Sequence, residues 1–285
     1  MQTRLEGRTM NHFVDTEGPG TLIGEKINPT GNKTLSTALQ TDDHDYVQKL
    51  AIDQVAAGAD VLDINIGIPG SNEPELLKTI IQIVAEVVEV PLCLDSPNFD
   101  ALQAALPLAP GRPLVNSVNA EEASLEQILP LVKDRDCAVI GLTIDETGIP
   151  KDVDTRLRLT GKILERAARF DIPPEDVIID PLVLAVSTDH EAASITLHAI
   201  ERIRAEFGVS INLGASNVSF GLPERHTLNQ SFLALACAAG ANCLISDPFK
   251  LSLTLRATDL LLGRDPFSAR YIAHFRAIQS QQDKP

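Results

Sequence analysis

Polar side chains stand at the end of nearly every short apolar run of this chain. They are Glu25, Asn28, Asp63, Asn65, Asp95, Asn116, Asn119, Asp145, Asp180, Asn217 and Asp247. A carboxylate accepts hydrogen bonds, whereas an amide both donates and accepts them. The placement of these side chains at the ends of the runs is the main clue to function.

The apolar runs are the elements that must position these side chains. They are Thr21–Ile27, Val61–Gly67, Val90–Asp95, Leu114–Asn119, Ala138–Asp145, Val177–Leu182, Val209–Asn217 and Cys243–Asp247. Each run ends in a polar or Gly-containing turn, and the segments between the runs have helical spacing. Eight strand–helix pairs in about 250 residues predict an α/β fold, a single-domain (β/α)8 TIM barrel, whose function collects at the C-terminal strand ends.

The predicted helices complete the eight units. They are Tyr46–Ala57, Glu73–Val88, Phe99–Leu108, Glu121–Lys133, Val153–Phe170, Asp189–Glu206, Glu224–Ala239 and Phe249–Leu262. The stretch Gly24–Lys33 holds too many turn formers for a helix. Residues 1–18, mixed in charge and without period, predict an N-terminal arm or lid over the bottom of a barrel formed by residues 19–285. Phe267–Gln279 predicts an extra helix outside the barrel, and Ser280–Pro285 is expected to fray.

Composition excludes several classes of protein. A chain of 285 residues, 44% of them hydrophobic, can bury one large core. The net charge of −15 argues against a nucleic-acid partner, which needs clustered Lys and Arg. No apolar stretch is long enough to predict a membrane span, and residues 1–8 lack the apolar core of a signal peptide. We therefore expect a cytoplasmic protein.

The four cysteines indicate neither a disulfide framework nor a metal site. Cys93, Cys137, Cys237 and Cys243 lie scattered within apolar runs. The sequence has no CxxC pair and no His/Cys cluster with zinc-ligand spacing. We expect buried free thiols in a reducing compartment and no bound metal.

Six segments at successive strand ends carry a family resemblance. They are Gly24–Asn28, Asp63–Gly67, Leu94–Asn98, Asn116–Asn119, Ile179–Leu182 and Gly214–Arg225. In this order they resemble the pterin-binding methyltransferases, above all the methyltetrahydrofolate:corrinoid methyltransferases and the folate domain of cobalamin-dependent methionine synthase. The resemblance covers nearly the whole barrel. It implies that tetrahydrofolate or 5-methyltetrahydrofolate binds as a substrate.

The resemblance also implies roles for individual residues. Asp95, Asn116 and Asp180 would hold the pterin ring, whose N3–H and 2-amino groups are donors beside a carbonyl. Asn217, in a Ser-Asn-Val-Ser motif, would strengthen its hydrogen bond to N5 in the transition state and so lower the barrier to methyl transfer. The alternative for Asn217 is a left-handed turn position, which Asn tolerates well.

Four further residues complete the upper part of the predicted site. Glu25 and Asn28 resemble the first loop of the family and would line the pocket mouth. Asp63 and Asn65 lie on the same face of their strand, because residues two apart in a strand do so. We expect them to support the site from behind.

The source of the proton at N5 is left open by the sequence. Asp95 or Asp180 could act through a water, or the proton could come from solvent. Asp145 would either join such a network or brace its own loop. Arg225 would reach over the pterin, bind the glutamate tail or lie on the surface.

A corrinoid protein is the partner that the resemblance implies. The chain has only the beginning of the Asp-x-His-x-x-Gly loop of a corrinoid module, in Asp42-Asp43-His44, so we expect the corrinoid on a separate protein. The zinc ligands with which methionine synthase binds homocysteine are also missing. Members of the family are commonly homodimers, which implies a homodimer here. The direction of methyl transfer stays open.

Three other functions are alternatives. A dihydropteroate synthase shares the pterin-binding barrel, but its first loop is of the Asn-x-Thr-Pro-Asp-Ser-Phe type, whereas this chain has Asn28-Pro29-Thr30-Gly31-Asn32. A non-catalytic folate-binding subunit would keep the pterin residues and lack turnover. A barrel with an unrelated substrate would bind no folate.

Overall fold

A computed structural model describes residues 1–282 and shows a β-hairpin followed by eight parallel strands. The hairpin consists of β1 (Gln2–Glu6) and β2 (Asn11–Asp15). The parallel strands are β3 (Thr21–Ile27), β4 (Val61–Ile64), β5 (Leu92–Asp95), β6 (Leu114–Asn119), β7 (Ala138–Leu142), β8 (Val177–Asp180), β9 (Asn212–Gly214) and β10 (Cys243–Ser246). Each lies within one of the predicted runs.

The parallel strands close on themselves in chain order. Neighbours follow one another from β3 to β8, and β3 also pairs with β10, which pairs with β9. A parallel bridge between Ile179 of β8 and Ile211, which directly precedes β9, completes the ring. The predicted single-domain (β/α)8 TIM barrel is therefore confirmed.

Ten α-helices cover or flank the barrel within the described residues. They are α1 (Lys33–Gln40), α2 (His44–Ala56), α3 (Glu73–Val87), α4 (Phe99–Ala105), α5 (Glu122–Arg135), α6 (Val153–Arg169), α7 (Ala192–Phe207), α8 (Arg225–Ala239), α9 (Pro248–Leu261) and α10 (Ala269–Gln282). Every predicted helix forms, and several begin at a side-chain cap such as Asp43, whose side chain accepts the N–H of Tyr46. Across residues 1–282, no helix is long and apolar enough to cross a bilayer.

Two elements are not anticipated by the sequence patterns. Helix α1 starts directly after the turn-forming stretch, because Asn32 caps it and Leu35 and Leu39 bury their side chains in the core. The hairpin is the second, and the expected lack of period in residues 1–18 is wrong. Buried and exposed side chains alternate along β1, as the pleat of a strand requires.

The C-terminal helix packs against its own barrel. His274 on α10 lies 2.9 Å from the hydroxyl of Ser252 on α9, and Asp265 accepts the N–H groups of Arg270 and Tyr271. The helix runs to Gln282, so residues 280–282 of the segment expected to fray are helical. Residues 283–285 lie outside the described part of the chain.

The inner face of the barrel has an apolar lower layer and a polar upper layer. The lower layer contains Ile23, Val61, Cys93, Leu114, Ile178 and Cys243, all fully buried. Two residues further along their strands stand Glu25, Asp63, Asp95, Asn116 and Asp180. Because side chains two apart share a face, the register that fills the lower layer also turns these polar groups inward.

The hairpin closes the bottom of the barrel. Leu5 and Val14 are fully buried and pack in the same cluster as the lower layer. His12 lies 2.7 Å from the hydroxyl of Thr21, and Arg112 donates to the carbonyl of Arg4. The N-terminal segment thus closes the barrel with apolar side chains and is held to it by hydrogen bonds.

Replacing Leu5 by Ala should lower the free energy of unfolding by about 2–5 kcal/mol, because it leaves a cavity between the hairpin and the lower layer. Urea denaturation followed by circular dichroism measures the change. The control is Phe13→Ala, in the same hairpin but 48% exposed, which should cost less than about 1 kcal/mol. Equal losses in the two variants would contradict the role of the hairpin as a plug.

Candidate active site

A cavity of about 890 Å³ opens at the C-terminal ends of the barrel strands. Seven of the predicted site residues line it: Glu25, Asn28, Asp63, Asp95, Asn116, Asp180 and Asn217. They come from β3, β4, β5, β6, β8 and the loop after β9. The volume is that of a small-molecule site. The barrel thus brings together side chains that are distant along the chain.

Asp180 lies at the end of β8 and is held by two hydrogen bonds. Its Oδ2 accepts from Nδ2 of Asn212 at 2.7 Å, and its Oδ1 accepts from the N–H of Leu182 at 2.8 Å. Burial raises the pKa of Asp180 to about 6, although both hydrogen bonds and the charge of Arg156 oppose the rise. The two hydrogen bonds fix the carboxylate in place, but with Arg156 they only partly offset the cost of burying its charge.

Asp63 and Asp95 form an acidic pair on the adjacent strands β4 and β5. Burial, reinforced by the charge of Asp95, raises the pKa of Asp63 well above its usual range. Burial also raises the pKa of Asp95, against a hydrogen bond from Nδ2 of Asn65 at 3.0 Å. Asn116 donates to Asp63 at 3.3 Å. Two carboxylates so close together and so poorly hydrated favour ligands that bring N–H donors.

Glu25 closes the side of the cavity next to β9. Both of its carboxylate oxygens lie 3.1 Å from the hydroxyl of Ser216, which donates to them. Burial raises the pKa of Glu25, and the charge of Asp247 adds to the rise while the Ser216 hydrogen bond opposes it. This contact joins the first strand of the barrel to the loop that carries Asn217.

Asn217 presents a free amide to the cavity. It lies in a 3-10 turn, Ala215–Ser219, and not in the left-handed conformation considered as an alternative. Its side chain has no hydrogen-bond partner among the described residues. A Cβ on Gly214 would come within 3.0 Å of Nδ2 of Asn217, so glycine leaves room for the amide to lie against the backbone. The amide is therefore positioned by its backbone and available to a ligand.

Three predicted site residues do not line the main cavity. Asn65 donates from its Nδ2 to Oδ2 of Asp95 at 3.0 Å. Asp145 caps its own loop, where it accepts from the N–H and the hydroxyl of Thr147 and forms an ion pair with Arg158 at 3.6 Å. Arg225 donates to the carbonyl of Ser216 at 2.9 Å and to the hydroxyl of Ser219 at 3.0 Å. It braces the loop that carries Asn217.

Several residues in the cavity wall or directly behind it were not singled out in the sequence. Lys26 and Lys33 line the mouth, the latter from the unpredicted helix α1. Asn212 holds Asp180 from within β9, and Arg156 on α6 is buried where its guanidinium donates to the carbonyls of Pro150 and Leu182. A polar residue inside an apolar run was the only available signal for Asn212, and nothing in the helical pattern marked Arg156.

The arrangement suits a neutral or electron-poor heterocycle with several N–H donors. Four carboxylates and four asparagine amides line one space, and the two lysines stand at its mouth. All four cysteines are buried and free. Within residues 1–282, no group of three or more His, Cys, Asp or Glu side chains is placed to hold a metal ion.

Comparison with solved structures identifies the same fold in pterin enzymes. Dihydropteroate synthase from Yersinia pestis, bound to a pterin–sulfa conjugate, has a TM-score of 0.70 over 92% of this chain and 99% of its own, at 16% identity. The 7,8-dihydropteroate synthase from Vibrio fischeri has a TM-score of 0.69 over 93% and 100%, at 18% identity. At these identities the likeness establishes the fold alone.

Sequence comparison is more specific. The chain is 36% identical over 260 residues to the methylcorrinoid:tetrahydrofolate methyltransferase of Eubacterium limosum, covering 90% of this chain and 96% of that one. It is 30% identical over 243 residues to methionine synthase of Mycobacterium leprae, but spans only 20% of that larger protein. Residues 24–247 match the profile of the pterin binding enzymes. The chain therefore belongs to the pterin binding enzyme family.

Proposed function

We propose that this protein is a methyltransferase that moves a methyl group between N5 of tetrahydrofolate and the cobalt of a corrinoid carried by a separate protein. The observation that carries the proposal is the convergence of Asp95, Asn116 and Asp180 on one cavity that also holds the free amide of Asn217. The Eubacterium limosum relative, which aligns along 96% of its length, is named for this reaction.

The pterin ring would bind through its guanidine-like edge. Asp180 is fixed by Asn212 and the backbone of Leu182, so its remaining lone pairs can accept from the N3–H and 2-amino groups without rearrangement. Asp95 and Asn116 would satisfy the opposite edge. The N–H donors of the ligand would offset the free-energy cost of burying these carboxylates, and this gain favours binding.

Asn217 would act at N5. When the methyl group leaves, the electron pair of the C–N5 bond returns to the nitrogen, which is then protonated. In the reverse direction the N5 lone pair forms the new N–C bond and a proton leaves. An amide beside N5 stabilises the change of charge in either direction without titrating itself, and it acts most strongly in the transition state. The corrinoid supplies or accepts the methyl group.

The proton at N5 would be exchanged through Asp63 and Asp95. Asp95 and Asp63 lie on adjacent strands at the same side of the cavity, and burial raises the pKa of each, which favours the protonated form that a proton donor needs. Asp145 is outside this route, because its carboxylate is engaged by Thr147 and Arg158 in its own loop.

Three properties of the whole protein belong to the same proposal. The corrinoid is expected on another protein, as this chain is similar to only one part of methionine synthase. The cytoplasm is the proposed compartment, since the four buried cysteines stay unpaired. A homodimer is proposed from the family resemblance alone.

Folate binding tests the pterin site. By calorimetry, wild type should bind 5-methyltetrahydrofolate and tetrahydrofolate, and Asp180→Ala should weaken both by about a hundredfold or more, because two charge-assisted hydrogen bonds are lost. The exposed Asp154→Ala on α6 is the control and should bind as wild type does. Failure of wild type to bind either folate would overturn the proposal.

Turnover tests the role of Asn217. Asn217→Ala should keep its folate affinity within about threefold, while the rate of methyl transfer with free cobalamin falls about 10²–10³-fold, because the lost hydrogen bond is made mainly in the transition state. Stopped-flow absorbance of the corrinoid measures the rate. Folate binding without any turnover in wild type would instead favour a non-catalytic folate-binding subunit.

The pH dependence of binding follows from Asp180. Only the ionised carboxylate accepts both hydrogen bonds, so with a pKa of about 6 the affinity should be constant above pH 7 and fall as the pH drops through 6. Once well below the pKa, the fall approaches about tenfold per pH unit. The same titration on Asp180→Asn isolates the contribution of the ligand's own protonation. Identical profiles for the two proteins would contradict this assignment.

A further inference from the structure

A second cavity, of about 340 Å³, adjoins the main one behind the loop that carries Asn217. The two cavities share four lining residues: Glu25, Lys26, Thr30 and Ser216. On its far side the second cavity is lined by the first turns of α8 and α9. A ligand that fills the main cavity can therefore extend into the second without leaving the barrel top.

The second cavity has an excess of positive charge in a protein of net charge −15. It is lined by three cations, Lys26, Lys250 and Arg225, and by two carboxylates, Glu25 and Asp247, with His226 beside them. Asp247 is shared by the two lysines, at 3.4 Å from Nζ of Lys26 and 3.7 Å from Nζ of Lys250. Three cations against two carboxylates leave one positive charge available to an anionic ligand.

Helix geometry adds to this preference. Helix α8 begins at Arg225 without a side-chain cap and without an acidic residue in its first turn. The N–H groups at a helix start carry partial positive charge and attract carboxylates. The cavity therefore favours an anion through both side chains and backbone.

The second cavity also contains a hydrogen-bond acceptor without a partner. The Oδ1 atom of Asn229, on the second turn of α8, is buried and has no hydrogen-bond partner within residues 1–282. Asn229 lines the second cavity. A buried acceptor is costly unless a donor reaches it. The cavity thus offers positive charge for a carboxylate next to an acceptor for an N–H group.

We propose that this second cavity binds the γ-glutamyl tail of the folate, with Lys250 and His226 facing its carboxylates and Asn229 accepting an amide N–H. The inference rests on the proposed function and deepens it. Each glutamate of the tail supplies one amide N–H and one α-carboxylate, which are the two groups that this cavity lacks.

The position of the cavity agrees with the covalent structure of the ligand. The side chain of the folate leaves the pterin from C6, the atom bonded to N5, and N5 is the proposed partner of Asn217. Its first part is the p-aminobenzoyl group, and the glutamates follow. This side chain therefore starts beside Asn217, and the neighbouring Ser216 lines both cavities along its path. Arg225, which holds the carbonyl of Ser216, lies along the same path.

Binding of a ligand series tests the assignment. We would measure the affinity of 5-methyltetrahydropteroate, which has no glutamate, and of 5-methyltetrahydrofolate with one and with three γ-linked glutamates. Wild type should prefer three glutamates to one by about three- to tenfold at low ionic strength, and added salt should reduce this ratio. Lys250→Gln should bring the ratio close to one. Asn229→Ala should weaken the monoglutamate but not the pteroate.

The control is Lys49→Gln, which makes the same change of charge on the exposed face of α2 and should keep the wild-type ratio. Equal affinity of wild type for one and three glutamates, or a preference that Lys250→Gln leaves intact, would overturn the tail site. In both cases the pteroate would still bind and Asp180→Ala would still lose it, so the proposed function would stand. Loss of pteroate binding by wild type would overturn both.

Discussion

The alternation of side chains along the parallel strands is the constraint on which the rest of this structure depends. Ile23, Val61 and Cys93 must face inward to meet the hairpin at the bottom of the barrel. Asp63 and Asp95 then face inward as well, because each lies two residues further along its strand. Packing at one end of the barrel thus enforces convergence of the polar groups at the other end, and the active site is the upper half of the core.

This arrangement buries carboxylates at a cost, which the surrounding amides only partly offset. Asn212 and Asn116 each donate one hydrogen bond to a buried aspartate, and burial still raises the pKa of those carboxyl groups. Such groups are held in fixed positions with unsatisfied accepting capacity. A pterin edge would supply the missing donors, so the ligand-free site is already shaped for what it binds.

Under the proposed function, the acidic main cavity and the second cavity beside it would bind different parts of the folate. The first is built from strand ends, where the barrel fixes each side chain, and it suits the rigid ring. The second is built from the starts of α8 and α9, whose dipoles and long side chains suit a flexible anionic chain. Ser216 and Glu25 stand between them and join β3 to the loop of Asn217. Methyl chemistry would take place at this junction.

The sequence by itself determined the barrel, because eight apolar runs separated by helical segments admit few other folds. It also indicated most of the polar side chains that line the cavity, because polar residues at strand ends meet on one face of a barrel. Only the tertiary structure decided what depends on distant contacts. Asp145 forms its hydrogen bonds within its own loop, and Asn65 donates to Asp95. Arg156 is buried where its charge acts on Asp180. Local sequence patterns indicate which face of a strand or helix a side chain lies on. Its hydrogen-bond partners often come from segments tens of residues away in the chain, which such patterns do not report.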